Sequence, residues 1–355
     1  MDRRKFFGRS VAGSVALGVA ALDRPAAAQS GGTPRSDLPS RFTPSAYSVP
    51  STKYSPFTVP DYYTYADNLV IERNQPGKPH AGKVLAAIQA HSDDIALFAG
   101  GTVAKLIDEG YTAYLIRLSD DGNAGSTLGY GVVQNEIDNQ NVAEALGCKK
   151  SFSFYYRNHR MDDCSMIEIR SRLIFLFRLL QVNTVVCMDP YNHYDENPDH
   201  IVAGKAVESA CWMSGSEKDY PEHYKLGLKP ARVREKYYFA RSPQGHNLVN
   251  RVVDITSYID TKVRVNMANK GKGPAGNAGA RMRQELLQQK KKLPLLGDDD
   301  ETANFQYGKF FLFEDNHLFG EIFGCPYAEA FRHIGAEPNY VDNIRTYANA
   351  HAVPL

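Results

Sequence analysis

An apolar run, Lys83-Val84-Leu85-Ala86-Ala87-Ile88-Gln89-Ala90, stops abruptly on His91-Ser92-Asp93-Asp94. A short run bounded in this way reads as a buried strand with three polar side chains at its carboxyl end, where open α/β sheets build their sites. The following segments repeat the pattern. A helix from about Asp94 to Glu109, closed by Gly110, leads to a strand from Tyr111 to Leu118, which makes a βαβ unit. A helix from about Val132 ends at Gly147, Ser151 to Tyr156 reads as a third strand, Met166 to Gln181 as a helix, Thr184 to Met188 as a fourth strand and Ile201 to Met213 as a helix. This alternation predicts an α/β fold with a Rossmann-like, mostly parallel sheet, helices on both faces and right-handed crossovers. Arg232 to Arg241 and Asn247 to Ile255 read as later strands, the second entering a helix near Thr256. With Met282 to Lys292, a polar helix, they form C-terminal additions. Between Asn269 and Gly279 the density of Gly, Asn and Lys reads as a solvated connector, with a lid over the site as the alternative.

At 355 residues and 43% hydrophobic the chain can bury a large core. Its formal net charge of +1 gives no reason to expect nucleic acid or an anionic membrane as partner. A small-molecule or glycan substrate is the default. No internal repeat, Walker phosphate loop or strand-linked GxGxxG is present. Cys148, Cys164, Cys187, Cys211 and Cys325 are widely spread and lack zinc-ribbon or thioredoxin spacing, and Cys187 sits within an apolar run.

The N-terminus reads as a targeting segment. Arg3-Arg4-Lys5-Phe6-Phe7, the short apolar run Val11 to Leu22 and Ala26-Ala27-Ala28 together resemble a twin-arginine export signal with a small-residue cleavage site over residues 1–30. The apolar run is shorter than the roughly 20 residues a membrane span needs, so no stable span is expected after cleavage. Periplasmic or secreted localisation follows, through the twin-arginine export machinery, and a disulfide is permitted there. Residues 31–80 read as an extended lead-in, 81–335 as the main domain and 336–355 as a C-terminal tail.

The chemistry is concentrated in two tetrads. Adjacent carboxylates at a strand end raise one another's pKa unless a cation is present, and His91 beside Asp93 and Asp94 suits a divalent metal. The competing role is a helix N-terminus, with Ser92 or Asp93 as cap and Asp94 complementing the dipole. Asn197-Pro198-Asp199-His200 opens the apolar-periodic segment after the fourth strand, with Asp199 as a candidate cap, so His200 can point into the same crevice. One carboxylate and two imidazoles fit zinc with an open position best, and iron, manganese and cobalt remain compatible. Asp120 or Asp121 is a candidate for orienting a ligating histidine. Asp162 and Asp163 read as solvated, with a sugar hydroxyl as the functional alternative.

From Lys83 to Arg332 the chain resembles the PIG-L (LmbE-like) N-acetylglucosaminyl deacetylase family. The resemblance rests on His91 to Asp94, Gly100-Gly101, Asp121-Gly122-Asn123-Ala124-Gly125, Ala145-Leu146-Gly147, Asn197 to His200, Val253-Asp254-Ile255-Thr256 with Lys262, and Tyr327 to Arg332. It implies that His91, Asp94 and His200 hold one Zn2+ and that Asp93 is the general base. Ser92 stands where the family has proline, which is expected to loosen the turn. Asn197 stands where the family has histidine, so an amide is left to stabilise the oxyanion, and His193 in the same loop is a candidate replacement. The family's later His-x-Ser-Gln-like element is not evident around Asn266 to Lys270.

The resemblance implies hydrolysis of an N-acyl amide, N-acetyl in the family's manner, on an amino sugar or glycoconjugate. Zinc would lower the pKa of water toward about 7 and polarise the carbonyl, and Asp93 would accept and return the proton. Three other readings stay open: another carbon–nitrogen hydrolase, a noncatalytic carbohydrate-binding protein on the same scaffold, and a two-metal phosphoesterase, for which the ligand set is one ion short.

Overall fold

The computed structural model describes residues 69–123, 128–191, 195–241, 249–271, 276–335 and 340–354. The expected export signal, the lead-in up to residue 68 and His193 lie outside the described residues. Eight strands form one sheet: β1 Val70–Glu72, β2 Val84–Gln89, β3 Thr112–Ser119, β4 Lys150–Tyr156, β5 Thr184–Met188, β6 Glu235–Phe239, β7 Arg251–Asp254 and β8 Ala328–Ile334. Their order is β1-β7-β8-β6-β5-β2-β3-β4, and only β8 runs antiparallel to its neighbours. The α/β class and the mostly parallel sheet agree with the sequence pattern.

The alternation of side chains along a strand builds two cores. On β2, Leu85 and Ala87 face one cluster while Ala86 and Ile88 face the other, and all four are fully or almost fully buried. Helices α1 Asp94–Phe98, α2 Gly100–Asp108, α3 Leu128–Leu146 and α7 Ile259–Ala268 cover the first face through Ile95, Val103, Val142 and Val263. Helices α4 Met166–Leu180 and α5 Pro198–Met213 cover the second through Ile169, Phe177, Val202 and Val207. The rest are α6 Glu222–Lys225, α8 Ala278–Gln288, α9 Asp300–Tyr307, α10 Glu314–Ile322 and α11 Tyr340–His351. Among the described residues no helix is long and apolar enough to cross a membrane.

Strand β2 pairs with β3 on one side and β5 on the other, so the chain reverses its direction of sheet growth there. Such a switch point opens a crevice at the carboxyl ends of the strands. The first tetrad follows β2 and the second follows β5. Both therefore reach the same crevice.

Several elements differ from the sequence expectation for identifiable reasons. The helix expected from Asp94 to Glu109 is broken at Ala99 (φ −140°) into α1 and α2. The break frees the N–H groups of Gly101 and Thr102, which donate to Glu329 Oε1 and Oε2 at 3.1 and 2.8 Å. Lys262 closes this knot, donating to Glu329 at 2.5 Å and to the Leu97 carbonyl at 2.7 Å. A Cβ on Gly101 would stand 2.8 Å from the Ile255 side chain, so glycine permits this close approach. Helix α5 begins at Pro198, three residues before the expected start at Ile201, because Pro is preorganised for the first helical position. Helix α8 likewise starts four residues before Met282. Strand β8, unassigned from the sequence, is inserted between β6 and β7, and β1 adds three residues of the lead-in to the sheet edge. The solvated-connector reading fails at its start, since Asn269 is wholly buried with its amide 3.5 Å from Ser92 Oγ. All five cysteines are free thiols, so no disulfide forms.

Candidate active site

Gln89 ends β2, and the chain turns through His91 to Asp94 into α1. Asp93 occupies the N-cap position, but its side chain makes no capping bond. Asp94 turns back instead: its Oδ2 accepts from the His91 backbone N–H at 2.9 Å. Ser92 does not loosen the turn. Its N–H, a donor that proline lacks, gives a 2.7 Å hydrogen bond to Asp121 Oδ2. Asp121 is fixed in turn by the Asn135 amide on its carbonyl at 2.8 Å. Asp121 thus holds the turn's backbone, a different task from the expected orientation of a histidine. Asp120 accepts from the N–H groups of Gly122 and Asn158, also a backbone role.

The second tetrad is set by the start of α5. Asn197 is the N-cap, with Oδ1 accepting from the Asp199 N–H at 3.0 Å, and Pro198 is the first helical residue. Asp199, expected as a cap, turns its carboxylate inward. A Cβ on Gly204 would lie 2.9 Å from Pro190 Cα and 3.0 Å from the Met188 carbonyl, so glycine lets α5 settle on the end of β5. That seating delivers His200 to the crevice.

His91, Asp94 and His200 converge there, all buried, with one ligand atom from each forming a compact triangle. His91 Nδ1 is 3.1 Å from His200 Nε2, His200 Nε2 is 3.3 Å from Asp94 Oδ1, and His91 Nδ1 is 3.7 Å from Asp94 Oδ2. The two Asp94 separations run to different carboxylate oxygens; ligands about 2.0–2.1 Å from a tetrahedral zinc stand about 3.3–3.4 Å apart, so the three side chains come within reach of one small divalent cation. The outward nitrogens strengthen the fit. His91 Nε2 faces Asp199 Oδ2 at 3.2 Å, and His200 Nδ1 faces Asp195 Oδ2 at 2.8 Å. A carboxylate on the far nitrogen fixes the tautomer of a metal-ligating imidazole and raises its basicity.

The electrostatics follow from this crowding of carboxylates. Burial works to lower the His200 pKa, but the Asp94 charge and the Asp195 hydrogen bond outweigh it and push it up to about 10. Burial works to raise Asp94 and Asp199. Their histidine partners, and for Asp199 also the backbone N–H groups of His159 and Met161, hold both below the ordinary carboxylate range.

Sequence reasoning thus selected the three residues that converge, together with the half-buried Asp93 beside them and Asn197 at the mouth of α5. It missed Asp195, His159 and the inward role of Asp199. Proline at position 198 was the available signal for Asp199, since it moves the cap back to Asn197. Asp162 and Asp163 are exposed in a 3-10 turn, as their solvated reading has it.

Comparison with known proteins agrees with this geometry. Residues 86–211, from within β2 to within α5, match the family model described as PIG-L: GlcNAc-PI de-N-acetylase. A diacetylchitobiose deacetylase of Thermococcus kodakarensis is 27% identical over 188 residues, covering 51% of this chain and 67% of the relative. Among solved structures, an N,N'-diacetylchitobiose deacetylase from Pyrococcus horikoshii superposes with a TM-score of 0.56 at 22% identity, covering 74% of this chain and 87% of its own. A 4-carboxy-2-hydroxymuconate hydratase from Pseudomonas putida superposes with a TM-score of 0.51 at 19% identity, covering 72% and 98%. The shared fold therefore hosts more than one chemistry, and the reaction is chosen by the residues in the crevice. From within β2 to within α5, this chain is similar to the PIG-L family of de-N-acetylases, hydrolases of carbon–nitrogen bonds.

Proposed function

We propose that this protein hydrolyses the N-acetyl amide of an amino sugar or short glycoconjugate, with one Zn2+ held by His91, Asp94 and His200. The observation that carries this reading is the paired arrangement of the imidazoles. Each turns one nitrogen to a shared centre with Asp94 and the other to a buried aspartate, Asp199 or Asp195. When bound, the cation supplies a Lewis acid for the amide carbonyl and lowers the pKa of water toward about 7. Asp93, next to Asp94 and not needed as a ligand, takes the proton from the attacking water and returns it to the leaving amine. The Nδ2 group of Asn197, whose Oδ1 is engaged in the cap, is the donor for the developing oxyanion.

Chitobiose-type substrates are the first to test, because the relative from Thermococcus kodakarensis bears that name. Acetate release from N,N'-diacetylchitobiose and N-acetylglucosamine by the zinc-loaded protein is the expected result. Hydration of an unsaturated acid without acetate release from any N-acetyl sugar would refute the reading. We also propose export through the twin-arginine route. Replacing Arg3 and Arg4 together by Lys is expected to retain the precursor in the cytoplasm, and unchanged export would refute that route.

A further inference from the structure

Asn158, in the turn after β4, is almost wholly buried, and every polar group it owns is engaged. Its backbone N–H donates to Asp120 Oδ1 at 3.0 Å, and its carbonyl accepts from Asn123 Nδ2 at 3.4 Å. Its Oδ1 accepts from the Asn123 N–H at 3.2 Å, and its Nδ2 donates to Asp199 Oδ2 at 3.4 Å. The amide orientation follows, because its nitrogen must face the carboxylate, an acceptor only, and its oxygen the backbone donor. An aspartate here would set two buried carboxylates against each other, and an apolar residue would make neither bond. The position calls for an amide.

These bonds close a circuit around His91. Its backbone runs into Ser92, whose N–H donates to Asp121 Oδ2 at 2.7 Å. Two residues beyond Asp121, the Asn123 N–H reaches Asn158, and Asn158 reaches Asp199. Asp199 Oδ2 then faces His91 Nε2 at 3.2 Å, which returns the path to its start. Four hydrogen bonds thus join the turn that carries His91 to the far nitrogen of its own ring. The neighbouring His159 supports the same corner, with its backbone N–H 2.7 Å from Asp199 Oδ2 and its ring edge-on to His91 at a centroid distance of 5.9 Å.

An imidazole aims one nitrogen at a metal only when both its backbone and its far edge are fixed. The Ser92 bond fixes the first and Asp199 the second. Asn158 touches both arms, the loop after β3 through Asn123 and the start of α5 through Asp199, so a displacement of one arm is passed to the other.

We propose that Asn158 is a positioning residue for the metal centre, which fixes the angle at which His91 presents Nδ1 by coupling the loop after β3 to Asp199. The assignment rests on the metal site of the function proposed above. It extends that site to a residue that neither ligates nor carries charge.

The test uses the full chain as wild type, Asn158→Leu, Ser92→Pro and the double variant. Leucine is close to asparagine in size and makes neither bond. Proline removes the Ser92 N–H from the circuit and is the residue that the related family carries there. Zinc affinity is read by competition with a chromophoric chelator, and ligand geometry by the visible absorption of the cobalt-substituted protein. Each single variant is expected to bind zinc about tenfold more weakly, the lower end for loss of an outer partner, and to shift the cobalt spectrum. Among the described residues no hydrogen bond joins Ser92 to Asn158, so independent effects would multiply to about a hundredfold. One circuit, once cut, gives about tenfold in the double variant as well. Asn158→Ser adds no bulk and keeps a hydroxyl acceptor for Asn123, and it is expected to show the same cobalt shift if leucine prevents folding. A merely structural residue would lower the melting temperature of the metal-free protein and leave the cobalt spectrum unchanged. Wild-type zinc affinity and cobalt spectrum in the Asn158 variants, or a hundredfold loss in the double variant, would overturn the inference. Wild-type protein that binds no zinc would overturn the metal reading instead, and wild-type protein that binds zinc but releases no acetate would overturn the deacetylase reading alone.

Discussion

Asp199→Asn removes a charge and almost no volume from the point where the site is tied together. The wild-type carboxylate is fully buried and accepts from donors on both oxygens. Oδ1 takes the Met161 N–H at 3.1 Å, and Oδ2 takes the His159 N–H at 2.7 Å, the Asn158 amide at 3.4 Å and the His91 ring at 3.2 Å. An asparagine must place its NH2 against one of these sets. The less costly orientation puts it at the Oδ1 position, facing the Met161 N–H, where one buried donor loses its acceptor. That loss costs about 1–3 kcal/mol. For a domain of this size, about 2 kcal/mol lowers the melting temperature by roughly 4–8 °C. The remaining carbonyl still accepts from His91, but without charge, and loss of such a partner weakens metal affinity by about 10–100-fold. Thermal unfolding of the metal-free protein reads the first effect, and competition with a chromophoric zinc chelator reads the second. A variant with wild-type melting temperature and wild-type zinc affinity would show that Asp199 neither holds the turn nor orients His91.

Asp93→Asn is expected to keep zinc and lose about 10²–10⁴-fold in kcat, since the base is not a ligand; loss of zinc would mean that the two carboxylates exchange roles. His333 gives a pH signature. Burial, helped by Arg251, lowers its pKa to about 4, so between pH 6.5 and 4 the unfolded chain binds the extra proton and stability falls as pH falls. Its share of that loss at pH 5 is about 2 kcal/mol, and His333→Gln should reduce the difference in urea stability between pH 7 and pH 5 by that amount. Lys262→Met leaves Glu329 buried without its cation and should cost about 3–5 kcal/mol in urea unfolding; a loss under about 1 kcal/mol would show that the knot between α1 and α2 is not held by this pair.

The parts of the fold visible in the sequence were those with a local signal. Strand β2 is apolar and ends on charge, and β5 is five fully buried residues, so their ends marked the crevice and with it His91, Asp94 and His200. Strand β8 gave no such signal because its pairing partners are about 80 and 95 residues away in the chain, in β7 and β6. The break at Ala99 was hidden because α1 and α2 share one apolar face, and its cause, Glu329, is remote in sequence. Asp195 and His159 escaped for a related reason. Their meaning comes from what they touch, His200 and His91, and spacing carries no trace of those contacts. Ser92 shows the same limit in reverse: read alone it weakens a turn, and read with Asp121 it fastens one.

The most direct test of the whole account is to strip the protein of metal, titrate Zn2+ back, and follow bound metal and acetate release from N,N'-diacetylchitobiose together. Acetate release should rise in proportion to bound zinc and saturate at one ion per chain, with His200→Ala neither retaining zinc nor releasing acetate. Full activity in the stripped protein, saturation at two tightly bound ions, or full zinc occupancy in His200→Ala would contradict it.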